Sequence, residues 1–300
     1  MALDDPVVIT CAISGTIANR EQCPAIPYTP EEYAAEARRI VDEGGVHIHI
    51  HARTRDGQPS YEIEDFQAIK DAIREEVGDR AIINFSTGTI GVPVAKRVAY
   101  LEACRPEVAA LNMGSMNYAK YSAKRKDFVF KFVFANPFEE IIELLEAMRR
   151  LGIKPEHECF DVGHVGSLAP LVDMGLLEAP LHADFVMGVV GGVPPTARNL
   201  ATMADNLALI PSSDGARHHH WGVIGIGRGQ WMLVAAALTL GGSVRVGLED
   251  NFYLPDGEMA SSNGDLIAKA RQMTEEIGRR PATVDEAREL LGIKAPAAAS

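Results

Sequence analysis

The sequence predicts a (β/α)8 TIM barrel, because eight β-rich apolar segments alternate with eight amphipathic helical segments along 300 residues. In chain order, the predicted strands are Val7–Ser14, Val46–Ala52, Ala81–Thr87, Val108–Met113, His157–Asp161, Ala183–Gly188, Trp221–Gly227 and Val244–Glu249. The predicted helices that follow them are Pro30–Asp42, Ile63–Glu76, Pro93–Cys104, Pro137–Leu151, Leu168–Met174, Ala197–Leu209, Gln230–Leu240 and Asp265–Gly278. A doubly wound sheet is the alternative, but no Gly-rich phosphate turn follows the first strand.

Local signals justify the individual elements. Thr29 followed by Pro30, Glu31 and Glu32 is typical of a capped helix start, with acidic residues in the first turn. The segment Met116–Asn136 is predicted to be an insertion after strand four, in which alternating aromatic residues line an oligomer contact or form a hairpin edge. We expect one barrel domain over residues 1–294, closed by a C-terminal helical extension, and a loose tail over residues 295–300.

Composition and charge exclude several classes of protein. Hydrophobic residues make up 47% of the chain and charged residues 23%, as expected of a globular protein with a large core. The formal net charge of −12 argues against a nucleic-acid partner, and the short basic cluster Lys124–Lys126 suits a solvated loop. The absence of an apolar run of membrane-spanning length argues against a membrane protein. Four scattered cysteines suit a reducing compartment, so we expect a cytoplasmic location.

Three histidines that alternate along the second predicted strand indicate a metal site. Successive side chains of a strand point to opposite faces, so His47, His49, His51 and Arg53 share one face. Imidazole is the commonest protein ligand for transition metals. A single buried histidine is more often a hydrogen-bonded core residue, but three in register favour a metal-binding strand.

In a barrel, the active site forms at the carboxyl ends of the strands. His49, His51 and Glu249 there would form a two-histidine, one-carboxylate site with an open position, which is the catalytic pattern for zinc. His47 lies one layer deeper and is expected to be buried or supporting, and Glu156 is expected to form a structural salt bridge. The other candidate residues at these ends are Arg53, Ser86, Thr87, Gly88, Asn112, Glu158, Arg245 and Asp250.

Several short motifs distributed over nearly the whole chain have a common resemblance. They are Ile9–Gly15, Pro27–Glu32, His49–Arg53, Gly57–Ser60, Ser86–Gly88, Leu111–Gly114, Gly225–Arg228 and Arg245–Asn251. Together they resemble the β-keto acid cleavage enzymes. The histidine pair and the Glu-Asp-Asn end of the last motif are the most specific.

The resemblance implies a zinc-bearing barrel, with zinc or another divalent transition metal held by His49, His51 and Glu249. Such enzymes exchange acyl groups between a β-keto acid and acetyl-CoA, releasing acetoacetate and a new CoA ester. It further implies that Ser86 helps to bind the substrate and that Arg245 and Asp250 form an acid–base pair, with Glu158 facing the same site. A carboxylate base beside Arg245 is expected to stay ionised, because a nearby cation lowers its pKa.

Two departures from the family pattern concern the substrate. Ile17 stands where the members of this family that act on an amino-substituted substrate have an acid. Ala110 stands at a second position that is polar in those members. An apolar Ile cannot satisfy a buried cationic amino group, so we expect a neutral or apolar β-keto acid. Arg228, in the loop after strand seven, is the candidate for a CoA phosphate contact, because barrels bind phosphate near the loops after strands seven and eight.

Two other functions remain open at this stage. One is a different divalent-metal barrel enzyme, an aldolase or a hydrolase, and the other is a non-catalytic metal-binding protein. A Schiff-base aldolase is disfavoured because Lys154 lies at the start of a strand, and the late cluster His218–His220 lies at the wrong end of its strand for an amidohydrolase site. We also expect a homo-oligomer, either a dimer or a tetramer.

Overall fold

The computed structural model describes residues 4–212 and 218–293, and it contains a closed barrel of eight parallel strands. The barrel strands are β1 Ile9–Ala12, β2 His47–Ile50, β3 Ile82–Ser86, β4 Val108–Asn112, β5 Lys154–Cys159, β6 His182–Met187, β7 His220–Gly225 and β8 Ser243–Val246. They pair in chain order, and β8 closes the barrel by pairing with β1 through Val244 and Ile9. The predicted (β/α)8 fold is confirmed.

The helices alternate with these strands. They are α1 Pro30–Asp42, α2 Ile63–Val77, α3 Val94–Cys104, α4 Phe138–Leu151, α5 Val162–Gly166, α6 Leu168–Asp173, α7 Ala197–Ala208, α8 Gln230–Leu240, α9 Asn263–Glu276 and α10 Val284–Leu291. The capped start of α1 is confirmed, because the Thr29 side chain accepts from the backbone of Glu32 and the Glu32 side chain accepts in return. Within the described ranges, no helix combines the length and the apolar character needed to cross a membrane.

The two ends of the barrel differ in how they are covered. At the amino-terminal end, α10 supplies Ala287 and Leu291 to an apolar layer with Val8, Val46 and other strand-start residues. The short strands Pro6–Val7 and Arg280–Pro281 pair beside this layer. α10 is therefore the predicted C-terminal helical extension, and it closes the end opposite the expected site.

The predicted insertion after strand four is a β-hairpin. Met116–Ser122 pairs antiparallel with Asp127–Phe134. Phe130 and Phe132 stack on Tyr118 on one face of this hairpin, whereas Val129 and Val133 on the other face are exposed. The predicted hairpin is therefore present. The other interpretation, in which its alternating aromatic residues line an oligomer contact, stays a prediction.

Some boundaries differ from the predicted ones for identifiable reasons. β8 ends at Val246 rather than at Glu249, because Gly247 has a φ of +141° and the chain turns there. The helix expected over Leu168–Met174 is preceded by the separate short helix α5. β5 begins at Lys154, three residues before the predicted start, and carries Pro155 within the ladder. The predicted tail over residues 295–300 lies outside the described residues.

Candidate active site

The histidines of β2 lie at the carboxyl end of the barrel. His49 is within β2, and His51 follows the last paired residue, Ile50. The backbone carbonyl of His51 accepts a hydrogen bond from the Tyr33 hydroxyl at 2.7 Å, and Tyr33 shares a second one with Ser14 at 2.6 Å. α1 and the end of β1 therefore fix the position of His51, a contribution that the sequence motifs did not reveal.

The turn after β8 brings two consecutive carboxylates into the same site. The amides of Asp250 and Asn251 both donate to the carbonyl of Gly247, at 3.0 and 3.1 Å, and the amide of Glu249 donates to Ala12. In a regular strand Glu249 and Asp250 would point to opposite faces. The tight turn removes that alternation, so both side chains reach Arg245.

His49, His51 and Glu249 form a group that fits a divalent metal ion. Their candidate ligand atoms all lie within 4.8 Å of one another. The Nε2 atoms of His49 and His51 lie 3.8 and 3.4 Å from the two carboxylate oxygens of Glu249. Glu249 Oε2 is buried without a hydrogen-bond partner among the described residues, which is costly unless another group binds it. Two imidazoles and one carboxylate are a donor set suited to zinc.

Arg245 connects the metal-binding group to the other acids. Its guanidinium donates to both oxygens of Asp250, at 3.0 and 3.1 Å, to Glu158 at 2.9 Å and to Glu249 at 3.0 Å. The side chain is 3% exposed. One buried cation thus orients three carboxylates, and removal of the cation would leave them uncompensated.

The environment sets different charge states for these groups. Burial acts to raise the pKa of Glu249, but the charges of His51 and Arg245 outweigh it and hold that pKa well below the usual range. Burial raises the pKa of Asp250 to about 7, against the lowering effect of Arg245. Arg245 lowers the pKa of Asp250 as expected, but desolvation outweighs it, so the expectation that this base stays fully ionised at neutral pH is wrong. Burial likewise raises the pKa of Glu158 and lowers that of His49.

Ser86, Gly88 and Asn112 come together at the ends of β3 and β4. Ser86 Oγ accepts from the Gly88 amide at 3.2 Å, and a Cβ at Gly88 would lie 2.9 Å from Asn112 Nδ2. The buried hydroxyl of Thr87 donates to the carbonyl of Ala110 on the neighbouring strand. The substrate contact assigned to Thr87 stays a prediction.

Arg53 and Ile17 lie in the loops that follow β2 and β1. The Arg53 guanidinium is buried and donates to the carbonyls of Ser14, Gly15, Ala18 and Gly57, so it joins these two loops. The substrate contact assigned to Arg53 stays a prediction. Ile17 lies on the loop after β1 and is 61% exposed.

Arg228 lies on the exposed loop after β7. Its guanidinium stacks over the Tyr253 ring at 3.9 Å, and the adjacent Gly227 amide donates to the carbonyl of Asp250 at 2.8 Å. This loop thus borders the acidic turn. The CoA contact assigned to Arg228 stays a prediction.

Sequence reasoning missed an aromatic wall, formed by Tyr118 and Phe134 of the hairpin and Phe160 after β5. The ring centroids of Tyr118 lie 5.8 Å from Phe134 and 6.4 Å from Phe160. Burial raises the pKa of Tyr118 to about 12, with a further contribution from the negative charges of Glu249 and Asp250. The tip of the Phe134 ring lies 3.9 Å from the position that a Cβ at Gly88 would take, so the wall borders the ends of β3 and β4. The alternating aromatics were visible in the sequence, but their distance from the site was not.

Comparisons with known proteins agree with this geometry. A family model described as beta-keto acid cleavage enzyme matches residues 6–293. The chain is 36% identical, over 96% of its length and 99% of the relative, to a 3-keto-5-aminohexanoate cleavage enzyme of Acetoanaerobium sticklandii. It is 34% identical to a 3,5-dioxohexanoate:acetyl-CoA acetone transferase of Paraburkholderia graminis, over 99% of each chain. A solved ternary complex of ObcA with a C4-CoA adduct and oxalate is similar in fold, with a TM-score of 0.69 at 21% identity, over 90% of this chain and 68% of that one.

Proposed function

The chain belongs to the beta-keto acid cleavage enzyme family, and from this premise we propose that it exchanges acyl groups between a β-keto acid and acetyl-CoA. The resemblance seen in the motifs is thereby confirmed at the level of the family. In the proposed reaction, R–CO–CH2–COO− and CH3–CO–SCoA give CH3–CO–CH2–COO− and R–CO–SCoA. One carbon–carbon bond breaks, another forms, and the thioester passes from the acetyl group to the R–CO group.

The observation that carries the proposal is the pairing of a metal-binding group with an independent acid–base pair. Glu249 faces His49 and His51, whereas its neighbour Asp250 is bound by Arg245 through both oxygens. A non-catalytic metal protein would have no need for the second acid, since an extra buried carboxylate is costly. Glu249 would thus hold the metal and Asp250 would act as the base, which suits a reaction that needs both an electrophile and a base.

We propose zinc, or another divalent transition ion, as the cofactor held by His49, His51 and Glu249. Such an ion would supply Lewis-acid polarisation of the ketone, whose oxygen and nearby carboxylate can chelate it. The donor set and the unpartnered oxygen of Glu249 support this assignment.

The protein side chains would orient the substrate and move the proton. The proton to be moved is on the carbon between the ketone and the carboxylate. Asp250 is the proposed base, and its pKa of about 7 is near the value at which a general base is most effective at neutral pH. Arg245 holds the Asp250 carboxylate in one orientation and stabilises its charged form. Ser86 and Asn112, which border Gly88, are proposed to bind the substrate carboxylate, and Glu158 orients Arg245 from β5.

The substrate is proposed to be a neutral or apolar β-keto acid. Tyr118, Phe134 and Phe160 offer an apolar surface beside Gly88, with Val186 and Ile224 packed in the same cluster. Ile17 offers no charge to a cationic substituent. An R group of several carbons would bury apolar area against this wall at about 25 cal/mol per Å2.

A panel of β-keto acids tests the proposal. The zinc-loaded protein is incubated with acetyl-CoA and neutral, acidic or amino-substituted β-keto acids of matched length, and new thioesters are separated by chromatography. We expect the highest kcat/KM for the neutral compounds. Thioester formation with none of them would favour another metal-dependent reaction or a non-catalytic protein, and a preference for the amino compound would overturn the substrate assignment alone.

We also propose an oligomeric state and a cellular location. A homo-oligomer, dimer or tetramer, is suggested by the exposed Val129 and Val133 on the outer face of the hairpin, and light scattering after size exclusion measures its mass. A cytoplasmic location is suggested by four free, buried cysteines, and fractionation of cells measures it.

A further inference from the structure

A second group of histidine and carboxylate side chains lies inside the barrel, one layer below the candidate active site. It consists of His47 on β2, Glu156 on β5 and His182 on β6, which we call the lower cluster. The candidate ligand atoms of these residues all lie within 4.8 Å of one another. His47 and Glu156 are fully buried, and His182 is 2% exposed.

Each member of the lower cluster has one buried polar atom without a hydrogen-bond partner among the described residues. These atoms are His47 Nε2, Glu156 Oε1 and His182 Nδ1. A buried polar group left unsatisfied costs about 1–3 kcal/mol, and native structures contain few of them. Three such atoms in one small group point to a missing shared partner.

The opposite atom of each side chain is anchored. His47 Nδ1 lies 3.0 Å from Thr10 Oγ1, His182 Nε2 lies 3.2 Å from Asp184 Oδ2, and Glu156 Oε2 accepts from Asn84 Nδ2. Metal ligands are typically oriented in this way, with the second nitrogen of an imidazole bound to a carboxylate or hydroxyl. The anchored atoms leave the unpartnered ones available to a common ligand.

Arg245 does not supply the missing partner. Glu156 Oε1 lies 3.9 Å from Arg245 Nη1, beyond hydrogen-bond distance, and the guanidinium donates instead to Glu158, Glu249 and Asp250.

We propose that the lower cluster binds a second divalent transition ion, with zinc as the best match for two imidazole nitrogens and one carboxylate oxygen. The ion would join β2, β5 and β6 across the barrel interior. Its role would be structural, because the ligands are closed from solvent and α10 covers the barrel end beneath them. This inference does not depend on the acyl exchange proposed above.

Metal counting tests it. Purified protein is incubated with zinc chloride, freed of excess metal by gel filtration and measured by mass spectrometry of the metal. We expect two zinc ions per chain in the native protein and one in the His49→Ala/His51→Ala variant. The His47→Val/His182→Ala variant should also keep one. His219→Ala is the matched control and should keep two, because the two hydrogen bonds of the His219 ring to the described residues are with the backbones of Leu181 and Ile210.

A native protein that binds one zinc or none overturns the proposal, as does a His47→Val/His182→Ala variant that keeps two. Anomalous diffraction at the zinc edge from crystals of the native protein needs no variant to fold. A peak between His47, Glu156 and His182 supports the proposal. A water molecule there, or a neutral hydrogen-bonded cluster, with zinc bound only at Glu249, overturns it. Acyl exchange by a native protein that holds one zinc would refute the lower site and leave the proposed function intact.

Discussion

The group of His49, His51 and Glu249, which we call the upper cluster, and the lower cluster consist of the same residue types but differ in solvent access. The upper cluster has His51 and Glu249 with side chains 12% and 18% exposed, and an aromatic wall borders Gly88 at the same end of the barrel. The lower cluster is sealed between that site and the apolar layer beneath β2. Donor chemistry alone therefore does not separate a catalytic site from a structural one. Solvent access and a nearby base do.

The largest expected effect is the loss of metal and turnover when a ligand of the upper cluster is removed. His49→Ala should lose the catalytic metal and lower turnover by about 10⁴-fold, because Lewis-acid stabilisation is worth several kcal/mol and each 1.36 kcal/mol is a tenfold change in rate. Zinc content and turnover are measured on the same preparation. His219→Ala serves as the control for loss of a histidine elsewhere. Retention of both activity and full metal content in His49→Ala would contradict the assignment.

Substitutions of the two consecutive acids after β8, Glu249 and Asp250, test whether metal binding and proton transfer are separate functions. Asp250→Asn should lower turnover by about 10²- to 10⁴-fold and keep the metal, because it removes a general base. Glu249→Gln should lose metal and turnover together. If Asp250 merely orients Arg245, the Asn variant would instead weaken metal or substrate binding and keep its saturated rate. A fully active Asp250→Asn variant would end the base assignment.

These roles were predictable in part from sequence. The β2 alternation predicted that His49 and His51 share a face, because strand geometry fixes side-chain direction. The convergence of Glu249 and Asp250 depended on a turn at Gly247, and the sequence shows that glycine but not its φ. The hydrogen bonds of Arg53 were not predictable, because its position beside the histidines carried no information about the loop carbonyls that it binds. Tyr118 was missed because its place in the aromatic wall depends on how the hairpin packs against Phe160, which is far away in the sequence.

The aromatic wall is proposed to bind the R group of the substrate near the upper cluster, and a substitution in the wall tests this role. Phe134→Ser should lower kcat/KM for a neutral β-keto acid by about 10- to 200-fold, the range expected for a change in apolar pocket contacts. The effect should shrink as the R group is shortened. Phe128→Ser, at the exposed end of the same strand, is the control and should change kcat/KM little. Equal losses in both variants would indicate hairpin destabilisation instead.

The smallest expected effect concerns the rim of the site. Arg228→Ala should raise KM for acetyl-CoA by about twofold to fivefold with kcat unchanged, since an exposed ion pair contributes about 0.2–1 kcal/mol. The increase should diminish at high salt. Arg105→Ala, at the carboxyl end of α3, is a control arginine distant from the loop after β7. An unchanged KM in Arg228→Ala would place the CoA phosphates elsewhere.

Isotope tracing tests acyl exchange most directly. The zinc-loaded protein is given a neutral β-keto acid and acetyl-CoA labelled with 13C in both acetyl carbons, and the products are analysed by NMR spectroscopy. The proposed reaction transfers the labelled acetyl carbons to the ketone and methyl positions of acetoacetate, and it leaves the new thioester unlabelled. Label that stays in acetyl-CoA while the β-keto acid is consumed, or label that appears only as free acetate, would contradict the proposed acyl exchange.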